Sequence, residues 1–267
     1  MKPLSMDEAK QIELDILAFI DSFCKKHEIQ YFINYGTLIG AVRHQGFIPW
    51  DDDIDVSMPR EDYERFIQLF QKENTPYKLL SLDTDDKYYN NFIKIIDSRT
   101  TILDTRNTKT YHSGIFIDVF PMDTFDDLTV IERCYKLESF KLLSFSKHKN
   151  IVYKDNPIKD LIRTFFWLLL RPVSPRFFTS QIEKQIQKYS IKNGKYIAFI
   201  PSKFKEKEVF DREMFNETID IDFEHLKLPA PKEFETILKQ YYGDYMTLPP
   251  EEKRVYSHEF HAYKLED

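Results

Sequence analysis

Four carboxylates fall within five residues in the run Asp51-Asp52-Asp53-Ile54-Asp55. Apolar residues flank this run, so part of it must approach the core, where carboxylates without a cation are costly. Oxygen-only ligands suit Mg²⁺ or Mn²⁺, with phosphates and waters completing an octahedron. A calcium-binding EF-hand is excluded, because its central Gly and terminal Glu are missing at the required offsets. The alternative interpretation is a solvated acidic turn, which is common for an isolated Asp-x-Asp pair.

Two further features would complete a site that handles phosphate. Upstream, Asn34-Tyr35-Gly36-Thr37 predicts a strand-to-helix turn whose backbone amides and hydroxyl cradle a phosphate, although a Gly-Thr pair by itself also fits an ordinary turn. Downstream, Asp118 is the one charged residue in the apolar strand segment 115–120. An unpaired carboxylate in a core strand is a large liability, so Asp118 is expected to have a functional partner.

Helices and strands must position these residues. Ser5 and Glu8 form a capping box that predicts an amphipathic helix running to about His27. Asp53 and Asp55 alternate with apolar residues, which predicts a strand with both carboxylates on one face. Further predicted elements are strands at 31–33, 77–82, 92–96 and 115–120, a short helix at 37–43, a helix from Pro59 to about Phe70, and a helix at 229–242.

Charge is distributed unevenly along the chain. Residues 133–207 contain 17 Lys and Arg against 5 Asp and Glu, while the remainder contains 21 against 39, for a net charge of −6. Within this basic segment, residues 161–178 include Phe165, Phe166, Trp167 and a run of three leucines, flanked by Arg163, Arg171 and Arg176. The combination predicts an interfacial helix on anionic lipid, with a buried packing helix as the alternative.

Composition excludes several classes of protein. With 42% hydrophobic and 31% charged residues, the 267-residue chain is globular, with room for one large or two small domains. Cys24 and Cys134 form neither a disulfide framework nor a Cys-x-x-Cys site, which favours a reducing compartment. No apolar run approaches the roughly 20 residues of a bilayer span, and acidic residues interrupt the N-terminus where a signal peptide would be apolar. We expect a cytoplasmic protein. Its acidic balance outside the basic segment disfavours nucleic acid as a partner.

The motifs together resemble the signature of the LicD family, a branch of the nucleotidyltransferase superfamily typified by DNA polymerase beta. The resemblance rests on YGTLIGAVRH (35–44), GFIPWDDDIDV (46–56), MPREDY (58–63), KIID (94–97) with Arg99-Thr100, GIFIDVFP (114–121) and YGDYM (242–246). It covers about residues 31–123 and 229–252. The basic segment between these stretches carries no motif of the family.

The resemblance implies an α+β fold in which a nucleotidyltransferase-like core has a mixed β-sheet flanked by helices. The core would occupy residues 1–132, a basic helical insertion 133–207, and a C-terminal part that packs back on the core 208–267. It also implies a metal-dependent phosphotransferase using Mg²⁺ or Mn²⁺, with Asp53, Asp55 and Asp118 as catalytic residues and metal ligands. Gly36 and Thr37 would bind donor phosphate.

Arg43 and Lys94 are candidates for further phosphate contacts, because Arg offers a planar fork and Lys a point charge. For each of them, a surface ion pair with a nearby aspartate is the alternative.

LicD proteins take phosphocholine from CDP-choline and decorate lipopolysaccharide or teichoic-acid precursors, whereas the fukutin-related branch moves ribitol phosphate. The resemblance therefore implies a CDP-choline or related CDP-alcohol donor, a lipid-linked glycan acceptor, release of CMP, and work at the inner face of the plasma membrane. Two alternatives stay open. The same core would transfer another alcohol phosphate or a nucleotide, or the protein would be a catalytically silent glycan- or lipid-binding module, against which the presence of all three carboxylates argues.

Overall fold

The computed structural model describes residues 1–104, 114–145, 156–170, 172–256 and 260–265. Its helices are α1 (Met6–His27), α2 (Tyr35–His44), α3 (Arg60–Phe70), α4 (Thr129–Phe145), α5 (Pro157–Leu170), α6 (Pro175–Tyr189) and α7 (Phe234–Tyr242). Its strands are β1 (Lys2–Pro3), β2 (Phe32–Ile33), β3 (Asp55–Pro59), β4 (Tyr77–Leu80), β5 (Ile93–Asp97), β6 (Thr100–Asp104), β7 (Phe116–Phe125), β8 (Tyr196–Ala198), β9 (Phe210–Asp211), β10 (Thr218–Phe223), β11 (Leu226–Pro231) and β12 (Phe260–Lys264). The fold is α+β, as the sequence predicts.

The largest sheet is mixed and has the strand order β2-β3-β7-β5-β4. β8 also pairs with β7, and β9 pairs with β8. The β3–β7 pair is parallel, whereas the other pairs in this sheet are antiparallel. β7 is therefore flanked on both sides. Residues 117–123 of β7 are also all buried, so both faces of the strand are covered. This explains why its sequence is almost continuously apolar, because a strand buried on both faces does not alternate with polar residues.

Amphipathic helices cover the sheet. The predicted capping box opens α1: Ser5 Oγ accepts from the Glu8 N–H at 3.2 Å, and a Glu8 carboxylate oxygen accepts from the Ser5 N–H at 2.8 Å. The apolar face of α1 is fully buried, as is Phe66 of α3. These helices pack with β3, β5 and β7 into one hydrophobic cluster, and this packing fixes the sheet that carries Asp55 and Asp118.

The predicted helix at 229–242 is wrong in its first part. Residues Leu226–Pro231 form β11, which pairs antiparallel with β10, and the helix begins only at Phe234. Leu228 and Ala230 alternate into the core with no exposed surface, which is the period of a strand. Pro229 and Pro231 have no backbone N–H to donate. They are tolerated because, in the described chain, β11 pairs with one strand, so its other edge needs no donor.

Residues 133–207 contain α5, α6, most of α4 and also a strand. α4 and α6 pack with β8 around Cys134, Ile182 and Ile186, and β8 pairs with β7 of the central sheet. The domain boundaries at 132/133 and 207/208 stay a prediction. Cys24 and Cys134 are free and buried. Among the described helices, none is both long enough and apolar enough to cross a membrane.

Candidate active site

Three of the predicted site residues meet on neighbouring strands. Asp55 and Asp118 are register partners in the parallel β3–β7 pair, and Lys94 of β5 is the partner of Asp118 on the other side. The Lys94 Nζ lies 2.5 Å from a carboxylate oxygen of Asp118 and 3.3 Å from the centre of the Phe116 ring. Both side chains of the ion pair are largely buried, at 15% and 12% exposure. Lys94 therefore forms the ion pair with a nearby aspartate that was its alternative interpretation, although the pair is largely buried. A phosphate contact for Lys94 stays a prediction.

Asp53 lies outside the strand, so the prediction of two carboxylates on one strand face is wrong. Register pairing begins at Asp55 on the β7 side and at Val56 on the β2 side. The Ile54 carbonyl accepts from the Asp118 N–H at 3.1 Å, so Asp53 lies just before the part of the chain that pairs with β7. Asp53 nevertheless stays close to the site. Burial raises the pKa of Asp55, and the charge of Asp53 is the next largest cause, ahead of that of Asp118.

The predicted Gly36-Thr37 turn lies against these carboxylates. Asn34 caps α2, its side-chain oxygen accepting from the Tyr35 N–H at 2.8 Å. The Thr37 hydroxyl accepts from the Asp55 N–H at 2.8 Å and so ties the first turn of α2 to the first residue of β3. A Cβ at Gly36 would lie 2.6 Å from a carboxylate oxygen of Asp51. Gly36 therefore lets the Asp51 carboxylate approach the helix N-terminus, whose dipole favours negative charge.

The carboxylates are arranged in a way that fits a divalent cation. Among the described residues, Asp51, Asp52 and Asp53 are the group of three whose oxygens all lie within 4.8 Å of one another. Burial and the neighbouring Asp53 raise the pKa of Asp51 to about 7, and the two carboxyl groups share a hydrogen bond. Buried carboxylates that must share a proton are relieved when a cation replaces it. The ligand set Asp53, Asp55 and Asp118 stays a prediction, and Asp51 and Asp52 join it as candidates.

Glu13 of α1 is a carboxylate that the sequence analysis missed. Its side chain is 3% exposed, and its Oε2 has no hydrogen-bond partner among the described residues. Burial raises the pKa of Glu13, and the charge of Asp53 raises it further. The sequence signal was its position, since Glu13 falls in the buried stripe of α1 with Ala9, Ile16 and Ile20.

Two residues from the second half of the chain also approach the site. Burial raises the pKa of Tyr242, and Asp55 is the largest charged contributor to that rise. Lys203 acts in the opposite direction on Asp55, favouring its ionised form. The Tyr242 ring is 5.2 Å from that of Phe204, and Tyr242 remains 36% exposed. Tyr242 belongs to the YGDYM motif, which could have indicated its place near the site, whereas no sequence motif pointed to Lys203.

Arg43 is engaged at the other end of α2. Its guanidinium donates to the Tyr245 carbonyl at 2.8 Å and to a ring nitrogen of His44 at 3.0 Å. Burial lowers the pKa of Arg43, and the charge of Arg254 adds to this effect. These contacts join α2 to the C-terminal part of the chain rather than to the carboxylates. A phosphate contact for Arg43 stays a prediction.

A buried glutamate, Glu208, supports the turn at the start of α2 through a hydrogen bond to Tyr35. The Glu208 carboxylate accepts from the hydroxyls of Tyr35 and Tyr241, each at 2.8 Å, and from that of Ser202 at 2.6 Å. Tyr35 has a positive φ of 47° at the start of α2, a conformation that needs support from its surroundings. Burial raises the pKa of Glu208 to about 7. Glu208 is thus a positioning residue for the turn that holds Gly36.

We expect Glu208→Gln to flatten part of the pH dependence of stability. A glutamate in the unfolded chain ionises near 4.5, whereas folded Glu208 keeps its proton to about pH 7. The wild-type free energy of unfolding therefore falls between these values, by about 3 kcal/mol at most. Denaturant unfolding at pH 5 and pH 8 (values chosen at about the two ends of this window) should show the variant gaining relative to wild type. Glu206→Gln, an exposed neighbour, is the matched control, and equal slopes for all three proteins would contradict the assignment.

Paired carboxylates on adjacent parallel strands, with a capped helix N-terminus beside them, are suited to the transfer of phosphorus-containing groups, because they can hold a cation beside a phosphate. The family model described as "LicD/FKTN/FKRP, nucleotidyltransferase domain" matches residues 28–149. The lipopolysaccharide cholinephosphotransferase LicD of Haemophilus influenzae is 35% identical over 99% of this chain and 100% of its own length. An uncharacterized protein of Rickettsia prowazekii is 30% identical over 60% of this chain and 58% of its own. The chain belongs to the LicD family and is a phosphotransferase.

Proposed function

We propose that the protein transfers phosphocholine from CDP-choline to a sugar hydroxyl of a cell-envelope glycan precursor and releases CMP. The observation that carries the proposal is the end-to-end similarity to the Haemophilus influenzae lipopolysaccharide cholinephosphotransferase. That name favours lipopolysaccharide as the acceptor class over teichoic acid. The paired Asp55 and Asp118 support the chemistry, because phosphoryl-type transfer needs charge control and in-line positioning more than a covalent intermediate.

In this reaction the acceptor oxygen forms a bond to the phosphorus that carries choline, and the bond from that phosphorus to the CMP oxygen breaks. The proton of the acceptor hydroxyl must leave as the new bond forms. We assign Asp118 as the group that accepts it at a carboxylate oxygen, and the Lys94 ammonium at 2.5 Å orients that carboxylate. The first turn of α2, with Gly36 and Thr37, binds the donor phosphates through backbone amides and the hydroxyl.

Mg²⁺ or Mn²⁺ is the cofactor that the oxygen-rich site fits. Asp53, Asp55 and Asp118 would hold it, with Asp51 and Asp52 as the further candidates that the 4.8 Å grouping adds. When bound, such a cation activates the acceptor oxygen and neutralises the leaving phosphate. The residues of the chain orient both substrates, and the charge of Lys203 favours the ionised form of Asp55.

The choline group needs an aromatic surface with negative charge nearby, because a quaternary ammonium is attracted to ring faces. Tyr242 and Phe204 supply two rings 5.2 Å apart, and Tyr242 lies within the field of Asp55. We assign the choline end of the donor to this pair of rings. The distance from a reacting phosphorus to its choline is short, so the group must lie close to the carboxylates.

A panel of donors tests the proposal. Purified protein with Mg²⁺ and lipopolysaccharide is incubated with CDP-choline, CDP-ethanolamine, CDP-ribitol and CDP-glycerol, and CMP release is measured. We expect release from CDP-choline at least about tenfold faster than from the others, since choline is the one alcohol of the four with a quaternary ammonium. Release from CDP-ribitol alone would instead support transfer of another alcohol phosphate. Release from none, with or without Mn²⁺, would contradict the proposal.

A further inference from the structure

Helix α5 presents an apolar stripe to the outside of the molecule. The side chains recur at helical spacing and each is more than half exposed: Ile158 (71%), Leu161 (72%), Ile162 (52%), Phe165 (61%), Leu168 (56%) and Leu169 (57%). Isolated exposed apolar residues are ordinary on a protein surface, but a contiguous stripe of this size marks an interaction site. The alternative of a helix buried in the core is wrong for this face.

The opposite face of α5 is the one that packs on the protein, and it is partly polar. Asp160 is 8% exposed and forms an ion pair with Arg163 at 2.7 Å. Phe166 is half-buried, with its ring 6.2 Å from that of Phe140 on α4. Phe166 and Trp167, which the sequence placed at the interface, are therefore directed to the protein side, and Phe165 is directed away from it. Among the described residues, none covers the outer face of α5, so this face is available to a partner.

Charge identifies the kind of partner. The segment 133–207, which contains α5, has 17 basic and 5 acidic residues. Lys159 is exposed at the start of the helix. A second copy of the chain would bring a like-charged surface into contact, whereas an anionic surface complements it. Arg171, the other predicted flanking cation, lies outside the described residues.

We propose that the outer face of α5, defined by Ile158, Leu161, Ile162, Phe165, Leu168 and Leu169, docks on a bilayer that contains anionic lipid. The helix lies in the plane of the headgroups, because its 14 residues are too short to cross a bilayer. Leu142 of α4, which packs beside α5, is 58% exposed and extends the apolar surface. The protein is thereby a peripheral one at the inner face of the plasma membrane. The proposal stands apart from the choice of donor and acceptor.

Vesicle flotation tests the proposal. The probes are vesicles of phosphatidylglycerol and phosphatidylcholine in equal parts, and vesicles of phosphatidylcholine alone. Wild-type protein should bind the anionic vesicles at low salt and bind them more weakly at high salt, because the Lys and Arg contribution is screened. Leu161→Glu with Phe165→Glu should lower binding by at least about tenfold, since two anchoring side chains become charged.

Ile219→Glu with Val255→Glu is the matched control, because it adds the same charge at exposed apolar positions elsewhere. It should leave vesicle binding unchanged. Leu161→Ala with Phe165→Ala provides a second variant without added charge, and it should melt as wild type does while binding more weakly. CMP release with a soluble acceptor should be unchanged in both α5 variants.

Three results would overturn the proposal. One is a wild type that fails to float with anionic vesicles at low salt. Another is undiminished binding by both α5 variants. The third is a wild-type dimer in sedimentation that the α5 substitutions dissociate, which would assign the stripe to a second copy of the chain.

Discussion

Asp55→Asn and Asp53→Asn will each reduce CMP release by at least about a thousandfold while leaving the protein folded. The reason is electrostatic. Both carboxylates belong to a crowded set in which burial, Asp53 and Asp118 together raise the pKa of Asp55, and an amide cannot supply the negative charge that holds a cation. Without metal, each variant should melt at a higher temperature than wild type, because repulsion between buried carboxylates is relieved.

The measurement combines initial rates with thermal melting, in the presence and absence of Mg²⁺. Asp86→Asn is the matched control, because Asp86 is an exposed aspartate far along the chain from the cluster. Retained activity in either active-site variant would contradict the assignment of that residue. Asp51→Asn and Asp52→Asn are measured in the same way. They test whether Asp51 and Asp52, whose oxygens lie within 4.8 Å of those of Asp53, are ligands in addition to the predicted ones. A melting shift with Mg²⁺ should disappear only for true ligands.

Asp118→Asn will reduce activity by about a hundredfold to ten-thousandfold, the range of a lost general base. It will also destabilise the protein, because Lys94 keeps a largely buried charge without its partner at 2.5 Å. Breaking such a pair costs about 3 kcal/mol. The Phe116 ring beneath the ammonium retains part of the stabilisation, so the variant should still fold.

The double variant Lys94→Met with Asp118→Asn separates structure from catalysis. Removing both charges should restore most of the lost stability, because no buried charge is left unpaired, but it should restore no activity. Denaturant unfolding and CMP release are measured for the single and double variants. If activity returned together with stability, Asp118 would be a structural partner of Lys94 and its catalytic assignment would be wrong.

Local signals in the sequence predicted most of the elements near the site. The capping box of α1, the α2 turn and the apolar strand around Asp118 all depend on neighbours within a few residues, which the sequence contains. The prediction for residues 229–242 was wrong because a proline near a helical pattern is typical of a helix start. Only the pairing of Asp220 with Pro229 and of Thr218 with Pro231 decides in favour of a strand.

Site residues could be predicted from the sequence where they belong to a recognisable motif. Gly36, Thr37, Asp55, Asp118 and Lys94 lie near one another, and their roles in binding and catalysis stay predictions. Glu13, Lys203 and Glu208 interact with site residues that are distant in the sequence, through their charges or through hydrogen bonds. Their neighbours in the sequence do not indicate these interactions. For Asp53 the sequence was misleading. Its alternation with Asp55 predicted that both residues belong to one strand, but β3 begins only at Asp55.

By itself, the sequence led to three predictions about chemistry: oxygen ligands for a hard cation, a phosphate-binding turn, and a basic segment with an apolar run. Only the tertiary structure decided how these are used. Asp55 and Asp118 are 63 positions apart, and their contact depends on the register of a parallel pair that no local pattern specifies. The apolar run in residues 161–178 predicted an interfacial or a buried helix, but not which side chains would be exposed. In the described part of the chain, α4 packs against one side of α5 and leaves the other side exposed.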